Sequence, residues 1–228
     1  AQLARMLSHL ATLNMRRLAV IYQDIPFGTS GLGFVEEIAA QLKLEVKAKV
    51  PVPPAADDLK HAVAKLQGTD VQANILILAP NSGIAFIRDA RAAGNRIPIY
   101  SLSYVPVKGI LEKVNAEQAS GVAIAQVTPN AGGTSAGLTR DFHLAMDKHA
   151  PPGTDHSQLH LVGFIAARVA VEALRRAGSS PSPEKVASAL KNLKMDLGGY
   201  PIDFGAGNNV GSQYVDIGAI DRSGRLRY

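Results

Sequence analysis

From Arg17 onward, short apolar runs alternate with helix-length segments, and that alternation leaves few architectures open to the chain. Strand signals fall at 17–23, 44–50, 73–79, 97–102 and 120–127. Helix signals lie between them at 30–43, 57–67, 82–93 and 107–116. An amphipathic segment, 2–14, comes first, with Leu3, Met6, Leu7, Leu10 and Leu13 at helical spacing. Pro51, Pro53, Pro54, Gly68, Gly94 and Pro98 punctuate the series, and Asp57 and Ser82 are expected to cap helices. The run Ile75 to Ala79 is apolar throughout, as a strand covered on both faces should be. Strand and helix in alternation predict an α/β domain with a doubly wound parallel sheet over residues 1–127.

The pattern changes after Pro129. A loop rich in glycine leads to three expected helices at 137–149, 157–177 and 182–193. The middle one carries Leu159, Val162, Phe164, Ile165, Ala166, Val169, Ala170 and Leu174, apolar over much of its circumference, and so needs partners on more than one side. The tail from Leu197 to Tyr228 reads as two strands around a turn at 205–209. These helices have few strands to cover, and no internal repeat supplies more.

Composition excludes several function classes. Of 228 residues, 46% are hydrophobic and 19% charged, which excludes disorder. The net charge of +5 comes from scattered Lys and Arg, and aromatics make up only 5% with no Trp. Without a basic run or stacking platforms, nucleic-acid binding is not expected. The absence of cysteine removes disulfides and thiolate chemistry together. No apolar run reaches the roughly 18 residues that span a bilayer. The chain begins at Ala1 with neither Met nor signal peptide, so a removed leader or a fragment is expected.

The stretch Arg17 to Gly33 carries most of the functional information. The apolar run Leu18 to Tyr22 leads into a turn, Asp24 to Gly28, that presents Phe27, and a helix is expected from about Ser30. Loops leaving the carboxyl ends of parallel strands are where open α/β sheets place ligands. This turn has no nucleophile and no phosphate-cradling pattern, which favours gripping a small molecule over transforming it.

Three enzyme-like patterns fail on their partners. Gly133, Ser135 and Gly137 fit a G-x-S-x-G elbow, but Pro129 to Gly133 intervenes where strand should turn directly into helix. His156 and His160 stand four apart without an adjacent Glu or a third ligand, and a solvent-facing pair is the better reading. Gly28, Gly31 and Gly33 have the wrong spacing for a dinucleotide loop, and backbone clearance at a helix start explains them better.

Several segments taken together resemble the type I periplasmic binding proteins, specifically the branched-chain-amino-acid-type substrate-binding subunits of ABC transporters. They are RRLAVIYQDIPFG, FIRDARAAG with IPIYS, ASGVAIAQVTPN, GFIAARVAVEALRRAG and LGGYPIDFGAGNNVGSQYVDIGAI, in family order along the chain. The resemblance implies two doubly wound lobes joined by three crossing segments, with ligand enclosed between them. Residues 1–127 would be one lobe with its N-terminal helix. Residues 128–200 would be a crossover and helices of an incomplete partner lobe whose N-terminal part is lacking, and 201–228 strands returning to the first.

The resemblance also implies ligand contacts. Phe27 stands where the family has an aromatic over the ligand, Ala79 and Asn81 at a strand end, and Ser103 and Tyr104 after the next strand. Amino-acid-binding relatives carry an acidic residue near Ser103, and this chain does not. A buried ammonium without a counter-charge is costly, so an aromatic or carboxylic acid fits better than an amino acid. The expected partners are a small-molecule ligand and an ABC transporter permease, in the periplasm. No cofactor, metal or catalytic residue is expected. The apolar helices of 131–200 point to packing against another copy of the chain, as a homodimer, or against a retained fragment of the first lobe. The rival readings are a ligand-sensing receptor or regulator of the same fold, and a serine hydrolase.

Overall fold

In a computed structural model the chain divides into two compact units, residues 1–126 with 215–228, and residues 127–214. The structure describes residues 1–205 and 207–228. Ala206, part of the turn expected at 205–209, lies outside the described residues.

Unit 1 runs α1 (Gln2–Thr12), β1 (Arg17–Gln23), α2 (Pro26–Gln41), β2 (Glu45–Val52), α3 (Lys60–Ala64), β3 (Ala73–Ile77), α4 (Pro80–Ala92), β4 (Ile99–Ser101), α5 (Val107–Leu111), α6 (Ala116–Ala119) and β5 (Val122–Gln126). Unit 2 holds α7 (Gly137–His149), α8 (Gln158–Ala177), α9 (Pro183–Lys191), β6 (Lys194–Asp196) and β7 (Pro201–Asp203). The chain then returns to unit 1 for β8 (Asp216–Ile220) and β9 (Leu226–Arg227).

The main sheet has the order β2-β1-β3-β4-β5-β8-β9. Its first five strands, all within residues 1–127, are parallel as expected there, and β8 and β9, from the returning tail, add an antiparallel edge. Side chains alternate between two cores because successive residues of a strand face opposite sides. Ala19, Ile21, Leu76 and Leu78 face a core shared with α3, α4 and α5. Leu18, Val20, Ile75 and Ile77 face the other, shared with α1 and α2. Helices α2 and α4, which follow the neighbouring strands β1 and β3, therefore leave on opposite faces of the sheet. That divergence makes the carboxyl ends of β1 and β3 a topological switch point.

Several expected boundaries move, each for a local reason. Helix α2 begins at Pro26 rather than near Ser30, and α4 at Pro80 rather than Ser82. Proline fits the first helical position, where its missing N–H costs nothing and its φ is already helical. Ser82 is therefore no cap; its hydroxyl donates to the Ala56 carbonyl at 2.8 Å. Asp57 is no cap either. The segment expected at 57–67 is helical only over Lys60–Ala64 and is preceded by Leu59, whose N–H donates to buried Asp89 Oδ2 at 2.7 Å. The helix expected at 107–116 splits into α5 and α6, because Asn115 and Gln118 form a reciprocal capping box that starts a new helix.

The tail differs most. Residues 201–203 pair with β6 around Gly198 and Gly199, while 216–220 pair with β5 in the main sheet. The two strands read as partners across 205–209 thus lie in different sheets. Unit 2 builds its own core from Leu138, Phe142, Leu161, Ile165, Leu193 and Ile202, among others. That core covers only one side of α8: Leu159, Val162, Val171 and Leu174 stay exposed at 56%, 38%, 55% and 47%.

Candidate functional site at the carboxyl edge

The site is built where β1, β3 and β4 end. Strand β1 finishes on Gln23, a carboxamide only 3% exposed, and the Ala79 N–H donates to its Oε1 at 3.1 Å. That bond joins the ends of β1 and β3 and settles which arm of the amide is oxygen. Gly28 lets the first turn of α2 sit against β1: a Cβ there would lie 2.7 Å from the Gln23 nitrogen and closer still to its oxygen. Gly31 has a similar reason, since its Cβ would meet Ile77 at 2.8 Å, whereas Gly33 faces open space. Clearance therefore accounts for two of the three glycines.

The structure puts Phe27 in the first turn of α2, half-exposed, with its ring centroid 6.1 Å from that of Tyr104. Ala79 is the residue preceding α4, and Asn81 lies exposed in that helix's first turn rather than in a turn before a cap. Ser103 follows β4. Its N–H donates to Gln2 Oε1 of α1 at 2.9 Å, so its backbone is tied to the N-terminal helix. Among the described residues no hydrogen bond links Ser103 to Phe27 or Asn81. Gln23 was missed in the sequence; a lone polar residue closing an apolar strand was the available signal.

The Tyr104 hydroxyl oxygen is buried and has no hydrogen-bond partner among the described residues. Burial pushes its pKa up to about 12. An unpaired buried hydroxyl costs about 1–3 kcal/mol, so Tyr104→Phe is expected to leave stability unchanged or raise it by about 1 kcal/mol in urea unfolding. Because the folded pKa lies above the unfolded value near 10, the contribution of the neutral phenol holds below about pH 10 and is lost as pH climbs toward 12. Absorbance titration at 295 nm should show late-ionising tyrosine signal from Tyr104 and from Tyr100, whose pKa burial also raises, and Tyr104→Phe should remove the Tyr104 part of it.

The enzyme-like patterns do not assemble. Ser135 lies in the loop between β5 and α7, and no histidine is hydrogen-bonded to it among the described residues. His156 and His160 are not a solvent-facing helical pair, because Ser157 caps α8 between them. His156 instead stacks on His143, ring centroids 4.4 Å apart, and pairs with Asp147 at 3.2 Å. A groove in unit 2 beside Lys194 and Asp203 offers no free charge, since those two groups pair at 2.8 Å. No group of three or more His, Cys, Asp or Glu among the described residues could hold a metal. No described helix is long and apolar enough to cross a membrane.

Comparison with known proteins agrees with this arrangement. The family described as "Periplasmic binding protein" matches residues 1–225. Leu/Ile/Val-binding protein homolog 8 of Brucella abortus is 27% identical over 220 residues, covering 92% of this chain and 53% of the relative. The chain thus spans about half the length of the curated relatives it matches. An extracellular ligand-binding receptor from Verminephrobacter eiseniae superposes with a TM-score of 0.89 at 30% identity, covering 100% of this chain and 65% of that one. A substrate-binding periplasmic protein from Ralstonia solanacearum gives 0.90 at 30%, covering 99% and 64%. A family match over nearly the whole chain, on a doubly wound unit with an open carboxyl edge, is decisive: this chain belongs to the periplasmic binding protein family, binding proteins rather than enzymes.

Proposed function

We propose that the chain is the solute-binding part of an ABC-type importer subunit working outside the cytoplasm, and that its solute is a small organic acid or amino acid seated on the carboxyl edge of unit 1. The pairing of Phe27 and Tyr104 beside the β1–β3 switch point carries this reading, because it supplies an aromatic wall where two helix N-termini diverge. Ala79 and Asn81 would border the solute, with Ser103 at the rim. In a whole importer subunit, lobe closure around the solute would give the permease a shape to read. A ligand-sensing receptor or regulator of the same fold would use the same edge and differ only in what reads it.

The test is a spectral one. Titrating the 15N-labelled chain with a panel of amino acids and aromatic acids should shift resonances of residues 23–28, 79–82 and 103–104, and Phe27→Ala should weaken the response at least threefold. A panel member that binds while moving only other residues would refute this placement.

The exposed face of α8 supports a second copy of the chain as partner. Fully burying an apolar side chain is worth roughly 1.5–3 kcal/mol, and four large ones on one helix leave much of that unrealised. Light scattering of the purified chain is expected to show a dimer, and Val162→Asp with Leu174→Asp should return it to a monomer. A monomer before substitution would remove the proposed dimer.

A further inference from the structure

We propose that Gln2, on the N-terminal helix, is a positioning residue for the candidate site: its carboxamide sets the turn that carries Ser103 and Tyr104, and through that turn the aromatic wall that Tyr104 forms with Phe27. The use of that wall by a solute rests on the solute-binding reading above. Its dependence on Gln2 does not.

The turn needs an anchor from outside the sheet. Strand β4 is three residues long, and its pairings with β3 and β5 end at Ser101. The chain then bends over residues 102–105, closed by the Val105 N–H donating to the Leu102 carbonyl at 3.3 Å. Ser103 and Tyr104 are the two central residues of that bend. With no strand beside it, the Ser103 N–H donates to Gln2 Oε1 at 2.9 Å, a bond that spans 101 residues of sequence. A backbone N–H leaving a sheet needs some acceptor, and a side-chain amide of α1 takes the place of the missing strand.

Tyr104 has no polar anchor of its own. Its ring packs against both cores, and its buried hydroxyl has no hydrogen-bond partner among the described residues. The direction of the ring therefore follows the backbone of the bend. Its centroid stands 6.1 Å from that of Phe27, so a bend that swings away carries one side of the wall with it.

Helix α1 brings Gln2 to a fixed place. Gln2, Met6 and His9 are spaced i, i+4 and i+7, which puts them on one stripe of the helix. Met6 is fully buried in the core that also holds Tyr100 and Leu102. At the far end of the stripe, His9 Nδ1 and the Tyr100 hydroxyl share a hydrogen bond of 3.1 Å, with the rings 5.8 Å apart. Tyr100 belongs to β4, so α1 grips the strand itself and reaches past its end with Gln2.

Two substitutions in the 15N-labelled chain test this by amide exchange and chemical shift. Gln2→Leu removes the acceptor, and Gln2→Glu keeps an acceptor oxygen at the same reach. Gln2→Leu is expected to speed Ser103 amide exchange at least tenfold and to move the resonances of Tyr104 and Phe27, with the amides of Met6, Leu7 and Leu10 protected as before. Gln2→Glu should restore the Ser103 protection and both resonances. Unchanged Ser103 exchange in Gln2→Leu overturns the proposal, and so does a Gln2→Glu chain that behaves like Gln2→Leu. Loss of protection throughout α1 overturns it too, since Gln2 would then only dock the helix. Leucine and sodium benzoate are the solute probes. Whichever shifts residues 23–28 of the unaltered chain should bind Gln2→Leu at least threefold more weakly and Gln2→Glu as before; equal binding to all three chains removes Gln2 from the site. If neither probe shifts the unaltered chain, the solute-binding reading loses its support, and the exchange measurements still decide whether Gln2 sets the turn.

Discussion

Gly28→Ala is expected to destabilise unit 1 by about 3 kcal/mol, although the substitution lies inside a helix, where alanine is normally the better residue. Alanine at an unconstrained helical site gains roughly 0.5–1 kcal/mol over glycine. At position 28 the added carbon would sit 2.7 and 2.8 Å from the Gln23 nitrogen and carbonyl carbon, atoms of the strand backbone that cannot rotate aside. Helix α2 would have to lift from the end of β1, taking Phe27 with it and loosening the Gln23–Ala79 bond. Gly33→Ala is the built-in control. It lies in the same helix with nothing within 4 Å of its Cβ position, and should stabilise by about 0.5 kcal/mol. Urea unfolding of the two variants checks both signs. Equal effects would show that α2 is not pressed against β1 as described.

The same stretch shows what the sequence revealed and what it hid. Strand β1 and helix α7 fall where their patterns put them, because an apolar run of strand length and a regular helical spacing are local signals. The starts of α2 and α4 lie earlier than Ser30 and Ser82 because Pro26 and Pro80 take the first helical position, where proline opens a helix. That difference decides whether Phe27 lies in a turn and Asn81 before a cap; in the structure both ride on helix N-termini. The nature of the candidate site changes with it, from a loop with an aromatic to a pair of uncapped helix ends.

Other features were beyond local patterns. Gln23 is informative only once Ala79 is known to reach it from a strand 56 residues away. The partner of β8 is β5, which unit 2 separates from it in the chain, so no turn signal could announce the pairing. The β6–β7 hairpin was legible but passed over. Gly198 and Gly199 are adjacent, both have positive φ, and the Leu197 N–H donates to the Tyr200 carbonyl across them at 3.0 Å. Two glycines between short strands are a standard signal for a two-residue hairpin.

Gly198→Ala is expected to cost unit 2 about 3 kcal/mol or more, and the cost divides into two parts that a neighbour can separate. A φ of +74° is strained for alanine by about 1–2 kcal/mol. Gly199, at +91°, carries a comparable conformational constraint but has nothing within 4 Å of its Cβ position. Gly199→Ala should therefore show the backbone part alone. At Gly198 the new carbon would also lie 2.6 Å from the Leu138 nitrogen and 2.8 Å from the Gly137 Cα. That contact is where the hairpin serves α7. Ala136, before the helix, has no side-chain cap, and the Gly198 carbonyl accepts the Leu138 N–H at 3.1 Å in its place. Pushing the two apart strains the turn and uncaps the helix together. Residue-resolved amide exchange should show faster opening of Leu138 and its neighbours in Gly198→Ala, with Gly199→Ala losing protection mainly around Asp196 to Tyr200 and unit 1 amides unchanged in both. Matching losses at Leu138 in the two variants would mean that the contact with α7 adds nothing to the backbone strain.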